Sequence, residues 1–318
     1  MDPRDNEARP VVSVIVPNYN GAALVRDCLC SIARQTYPEV EPIIVDDGSK
    51  DESPRIIRDE FPSMRMVQLY RNGGFARAVN VGIRAARGSI IALLNNDAVA
   101  EPTWIAELVD ALDRHPNAGS VASKILLPDG QTVASAGDVF GRTGVPNSRG
   151  VWERDAGQYD DEVEIFGASG AACAYRRSML EEVGLLDERF FMYCEDVDLA
   201  FRAQRRGYRC IYAPRAVVRH RVSATGGGVL ASYQCGRNFV WLLAKDVPGV
   251  AWQRYASRFV LTQLALAVRA IRDIREPAAR ARLRGQIVGC FAVPKLIVER
   301  RRATPPRVSE RYLLGLLT

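Results

Sequence analysis

The sequence predicts an α/β protein, a mostly parallel sheet flanked by helices and followed by a C-terminal helical extension. Three observations carry this. Short apolar runs alternate with amphipathic segments of ~10–15 residues, the pattern of βαβ units. Each run ends in a cluster of Asn, Asp, Gly or Pro, as strands do where they leave a sheet. The charge is also divided. The formal balance over 318 residues is +6, yet Trp241 to Thr318 holds 15 Lys/Arg against 5 Asp/Glu, leaving −4 for residues 1–240.

In chain order, Val11–Val16 is a buried strand ending at Pro17, and Leu24, Val25, Cys28, Leu29, Ile32 and Ala33 mark the apolar face of a helix. Ile43–Val45 is the next strand, closed by Asp46-Asp47-Gly48-Ser49, with a helix over Ser53–Phe61 and a strand over Met66–Tyr70. Phe75–Ala86 is helical, Ile90–Leu94 is a strand ending in Asn95-Asn96-Asp97, and Pro102–Arg114 is a helix with Pro at its start. From Ser120 to Val163 the pattern loosens, with Pro128-Asp129-Gly130 as a turn between short antiparallel strands. A helix runs on to Gly207, and strands follow at Arg209–Tyr212 and Ala216–His220. After a flexible stretch, Ser223 to Gly228, helices are expected over Ala231–Lys245, Trp252–Arg275 and Ala278–Arg302.

The composition, 47% hydrophobic and 25% charged, is that of a chain with a sizeable core. Seven cysteines without a CxxC pair point to reduced thiols in a cytosolic compartment. The charged start, Met1 to Glu7, has no apolar segment, so export is not expected. The basic tail is rich in Leu, Val, Ala and Trp. That composition favours an anionic membrane surface over nucleic acid, which calls for basic residues interleaved with exposed aromatics. Its most apolar stretch, Phe259–Val268, falls short of the ~20 residues of a membrane-spanning helix. Amphipathic helices lying on the inner face of the membrane, or packing in a homodimer, are the expectation for residues 241–318.

Chemistry concentrates at strand ends, where ligands bind in such sheets. Phe190 to Leu199 sets Glu195, Asp196 and Asp198 into the first turn of a helix, behind a run of aromatics. There the acids serve as caps, or one of them takes a proton from a hydroxyl. Asp97 of Asn95-Asn96-Asp97 is suited to a divalent cation, or to an Asn/Asp turn. His220, ahead of the glycine-rich stretch, completes such a site or caps a strand, whereas His115 suits a helix end. Asp47 can accept the imide N–H of a pyrimidine base, with Pro17-Asn18-Tyr19 as a surface for the ring, or form an Asx turn at Gly48. Arg71-Asn72-Gly73-Gly74-Phe75 offers a cation and pliant backbone to phosphate. GxGxxG, Walker A, GxSxG and HExxH motifs are all missing.

Together, Val14 to Asn20, Val45 to Ser49, Asn72 to Asn80, Leu93 to Asp97 and Phe190 to Leu199 resemble glycosyltransferase family 2, in its rhamnosyltransferase-like branch. The resemblance runs over residues 11–240. It implies a GT-A domain there, Rossmann-like, with a nucleotide-sugar half (11–118) and an acceptor half (119–240). Residues 1–10 form a tail and 241–318 an extension outside the match. It implies inverting transfer with Mg²⁺ or Mn²⁺. On this resemblance, Asp97 and His220 would hold the metal, and Asn96 would face the nucleotide. Pro17, Asn18, Tyr19, Asp47, Arg71, Asn72, Asn80 and Arg237 would bind the donor. Asp196 would be the base, with Glu195 and Asp198 shaping its field.

The expected donor is a dTDP-, UDP- or GDP-linked sugar, rhamnose or another deoxyhexose. The expected acceptor is a hydroxyl of a glycan or polyprenyl-linked glycan in cell-surface polysaccharide synthesis. Two alternatives stay open: a sugar-1-phosphate nucleotidyltransferase, and an inactive scaffold held at the membrane.

Overall fold

The computed structural model describes residues 9–222 and 227–318. The expected flexible stretch therefore lies, over Ser223 to Gly226, outside the described residues. The first half is a series of strand–helix units: β1 (Val12–Asn18), α1 (Val25–Ala33), β2 (Val40–Asp46), α2 (Ser53–Glu60), β3 (Arg65–Gln68), α3 (Phe75–Ala85), β4 (Ile90–Leu94), β5 (Ala98–Ala100) and α4 (Trp104–Arg114). β1 pairs in parallel with β2, from Val12–Val40 to Asn18–Asp46, and on its other edge with β4, from Val12–Ile90 to Ile15–Leu93. The chain therefore reverses its winding beside β1, and the carboxyl ends of β1, β2 and β4 open on one crevice.

The second half adds β6 (Ala118–Leu126), β7 (Val133–Ser135), β8 (Asp138–Phe140), β9 (Pro146–Ser148), β10 (Val163–Ile165), β11 (Ala172–Arg176), α5 (Arg177–Val183), α6 (Glu195–Arg205) and β12 (Arg209–His220). All but β8 and β9 join the same ten-stranded sheet, whose main order is β10-β12-β6-β11-β4-β1-β2-β3. One apolar layer covers each face. Val14, Leu29, Ile57, Trp104 and Leu108 lie on one side, and Ile15, Val79, Ile83, Met179 and Leu199 on the other.

Two expectations are corrected here. The loosened stretch after Ser120 contains β6, nine residues long and buried throughout. Its polar residues disguise it, because their partners lie elsewhere: Ser123 accepts from Trp104 Nε1 at 2.8 Å, and Lys124 pairs with Asp155 and Asp160. The two short strands expected at 209–220 are one strand, β12, with an irregularity between Ala213 and Val217. Pro214 lies inside it and has no N–H to donate, so a bulge absorbs the break.

The chain ends in four helices, α7 (Gly228–Lys245), which runs across the expected boundary at 241, α8 (Gly249–Arg272), α9 (Pro277–Arg302) and α10 (Glu310–Gly315). α7 and α9 pack at backbone distance. A Cβ at Gly285 would stand 2.2 Å from the Tyr233 carbonyl oxygen, so only glycine fits there. A third apolar cluster joins Phe190 and Phe201 to Leu242, Val247 and Phe259, anchoring the extension under α6.

Candidate active site

The segment entering α6 is unusual. Phe191, Tyr193 and Cys194 all have left-handed backbones, with φ of 65°, 65° and 70°. None is glycine, and such conformations cost of order 1–3 kcal/mol each, so the surroundings must impose them. Asn238 of α7, fully buried, does so. Its Nδ2 donates toward the carbonyls of Phe190, Met192 and Tyr193 at 3.2, 3.0 and 2.7 Å. The result aims the first turn of α6 into a cavity of about 380 Å³.

That cavity is lined by Asp196 and Glu195 from α6, Asp97 from the end of β4 and His220 from the end of β12. Asp196 is fixed at both oxygens, accepting the Gly170 N–H at 2.9 Å and the Val197 N–H at 2.8 Å. Burial raises its carboxyl above the usual range, and these two N–H groups oppose the rise. Glu195 Oε2 is buried without a hydrogen-bond partner. Burial, then the charge of Asp196, push that carboxyl well upward. His220 Nε2 lies 2.9 Å from Asp97 Oδ1, both residues being buried. Next to them, Asn95 Oδ1 is buried and unpaired.

A second cavity of about 140 Å³ adjoins the first, sharing Phe75, Asn95 and Met192 with it. Pro17, Asn18, Tyr19, Asp47, Asn72 and Asn96 line it. Asp47 accepts the N–H groups of Gly73 (2.9 Å) and Gly74 (2.8 Å), which ties the end of β2 to the start of α3. Burial raises its carboxyl despite those bonds. Asn18 donates to Asp46 at 2.9 Å and accepts from Asn96 Nδ2 at 2.8 Å, so β1, β2 and β4 are cross-linked at their ends.

Four expected site residues stand elsewhere. Asn80 spends its amide on Leu186, donating to its carbonyl at 2.8 Å and accepting its N–H at 3.1 Å. Arg71 is exposed on the loop after β3 and lines neither cavity. Arg237 donates to the carbonyls of Arg189 and Phe190, stacks on Trp241 and lines neither cavity. Asp198 is fully buried on the far side of α6, paired with Arg202 at 2.8 Å and with Lys245. Burial works to raise its carboxyl, but the two cations hold it below the ordinary range. Sequence reading missed Asp138, Ser148 and Phe239, which line the larger cavity. Only the Gly137-Asp138 step, an acid set in an apolar alternation, marks the first of them.

A mixed sheet of this order, with a crevice at the reversal of winding and carboxylates on its wall, is the GT-A glycosyltransferase architecture. The chain belongs to glycosyl transferase family 2, whose model matches residues 13–184. It is 28% identical over 298 residues to the N-acetylglucosaminyl-diphospho-decaprenol L-rhamnosyltransferase of Mycobacterium tuberculosis, covering 86% of this chain and 96% of that one. It is 30% identical over 226 residues to the O-antigen biosynthesis protein RfbC of Myxococcus xanthus, covering 68% of this chain but 18% of that one. Among solved structures it is similar to the mannosyltransferase PcManGT of Pyrobaculum calidifontis in complex with GDP-Man and Mn²⁺. The TM-score is 0.56 at 21% identity, covering 97% of this chain and 86% of that one.

Proposed function

We propose that the protein is a metal-dependent, inverting glycosyltransferase. It would move rhamnose or another deoxyhexose from a dTDP-, UDP- or GDP-linked donor to a hydroxyl of a polyprenyl-diphosphate-linked glycan. The observation that carries this is the convergence of Asp97 and Asp196, 99 positions apart in sequence, on one cavity that continues into the pocket of Asp47 and Tyr19. The mycobacterial relative, aligned over most of both chains, supports the choice of sugar and of lipid-linked acceptor.

In this reading Pro17, Tyr19 and Asp47 bind the base and Asn72 lies toward the phosphates. Asp196 accepts the proton of the acceptor hydroxyl as it attacks the anomeric carbon from the face opposite the diphosphate. The Gly170 and Val197 N–H groups keep that carboxylate oriented and favour its ionised form. Among the described residues no group of three or more His, Cys, Asp or Glu side chains could hold an ion unaided. Asp97 and His220, with the unpaired Asn95 Oδ1 beside them, are donors of the kind Mg²⁺ or Mn²⁺ accepts and would hold such an ion. A bound cation there would offset charge on the leaving diphosphate.

Calorimetric titration of dTDP, UDP and GDP tests this. Mn²⁺ should tighten binding of one of them to the wild type, and Asp97→Ala should weaken that binding at least ~10-fold. Equal affinity with EDTA and with Mn²⁺ would remove the metal from the account.

The same reading sets α8 and α9 against the inner face of the membrane. Leu261, Leu264, Ile271 and Phe291 are exposed on them, amid the arginines of the tail. No helix of the described residues is long and apolar enough to cross a bilayer. Co-sedimentation with phosphatidylglycerol vesicles, weakened by salt, is the expected result. A dimer in solution that ignores such vesicles would assign this face to a homodimer instead.

A further inference from the structure

The larger cavity contains a fourth carboxyl, beside Asp97, Glu195 and Asp196, to which the scheme above gives no role. Asp138 opens β8, and its partner across the two-stranded ribbon is Ser148 of β9. The ribbon is tied down from both sides. The Asp138 N–H donates to the Gly167 carbonyl at 2.8 Å, and Phe140 is bridged to Leu317 near the end of the chain. Asp138 is only 7% exposed, and with Asn147 and Ser148 it lines the same cavity as Asp196.

The three acids of this wall are not equivalent. Asp196 has two backbone N–H donors, whereas Asp138 has one hydroxyl, Ser148 Oγ at 3.2 Å. Glu195 Oε2 has none. The groups facing Asp138 are Asp196 and Glu195 on α6, Cys173 on β11 and Cys210 on β12, all acidic or neutral. Among the described residues no lysine or arginine forms an ion pair with any of the three acids. Buried carboxylates that crowd one wall with no lysine or arginine paired to them do not all ionise, and the one with the most N–H donors keeps its charge. Burial, followed by the charge of Asp196, pushes the Asp138 carboxyl well above the ordinary range.

We propose that Asp138 is an acceptor-binding residue that enters the reaction protonated. Its O–H donates a hydrogen bond to an oxygen of the acceptor sugar, while Asp196 stays ionised to receive the acceptor's proton. No bond is made or broken at Asp138. The β8–β9 ribbon thereby helps to decide which sugar hydroxyl reaches the base. The inference rests on the transferase reading for its acceptor, but the protonation state does not depend on that reading.

Two measurements test it. Infrared difference spectroscopy of wild type against Asp138→Asn at neutral pH should show a protonated carboxyl stretch lost in the variant. A lost carboxylate stretch instead would overturn the proposal whatever the enzyme's substrates. Kinetics with dTDP-rhamnose and an alkyl-diphospho-N-acetylglucosamine form the second arm. Asp138→Ala should raise the acceptor KM ~10-fold with the donor KM unchanged, and Asp138→Asn, which keeps an N–H donor, should recover most of that loss. An unchanged acceptor KM in Asp138→Ala, or equal losses in the two variants, would also overturn it. If wild type transfers nothing between these substrates, the donor and acceptor assignment fails and the infrared arm still decides on Asp138.

Discussion

Asp196→Asn is expected to lower kcat roughly 100- to 10,000-fold, the usual contribution of a positioned general base, while donor affinity stays within a few-fold. The variant should fold. Asn can still accept one of the two N–H groups now held by Asp196, and it removes a carboxylate whose burial opposes ionisation. Asp196 does not line the adjoining cavity of Tyr19 and Asp47, the proposed base pocket, which is why donor binding should survive. Steady-state kinetics alongside nucleotide calorimetry check both halves. Turnover near the wild-type rate would remove Asp196 as the base, and a parallel collapse of donor affinity would make its role structural.

The largest effect on stability is expected at Lys245. It pairs with Asp187 at 2.7 Å and with fully buried Asp198, tying α7 to the turn before α6 and to α6 itself. Lys245→Met strips one cation from two acids, leaving Arg189 for Asp187 and Arg202 for Asp198. Breaking a buried pair costs ~3–5 kcal/mol, and the remaining arginines place this change near ~3 kcal/mol at pH 7. The pH dependence has a definite sign. Burial disfavours the charged forms of Asp187 and Asp198, but their cations win and hold both carboxyls below the ordinary range. Such acids contribute stability above their unfolded value, ~3.9, and lose it as pH falls through the lower folded value. Urea unfolding should therefore show the deficit in full at neutral pH and a smaller one near pH ~3. A deficit that does not shrink in acid would mean that lost packing, not charge, is the cause.

The parts of the fold legible in sequence were those with local signals. Val12–Val16 and Ile90–Leu94 are continuous apolar runs, and each ends in polar residues that the parallel register brings to one crevice. The placement of Asp97 and Asp196 on one cavity was legible for the same reason, as acids at a strand end and in a helix's first turn. The placements that the sequence did not show share a different cause. Asn80 and Asp198 also sit in the quoted motifs, but their partners Leu186 and Lys245 stand 106 and 47 positions away. Arg237 carries the charge expected of a phosphate ligand, yet its N–H groups are claimed by carbonyls of the strained turn that it helps to hold. Asp138 gave little signal because it sits in a three-residue strand whose bridges, Asp138 to Gly167 and Phe140 to Leu317, are remote in sequence.

The anomeric configuration of the transferred sugar tests the central claim most directly. A single displacement with Asp196 as base and the diphosphate leaving from the opposite face predicts that proton NMR of the first-formed product shows a configuration opposite to that of the donor. Retention of the donor's configuration would require a covalent or same-face route and would contradict the account.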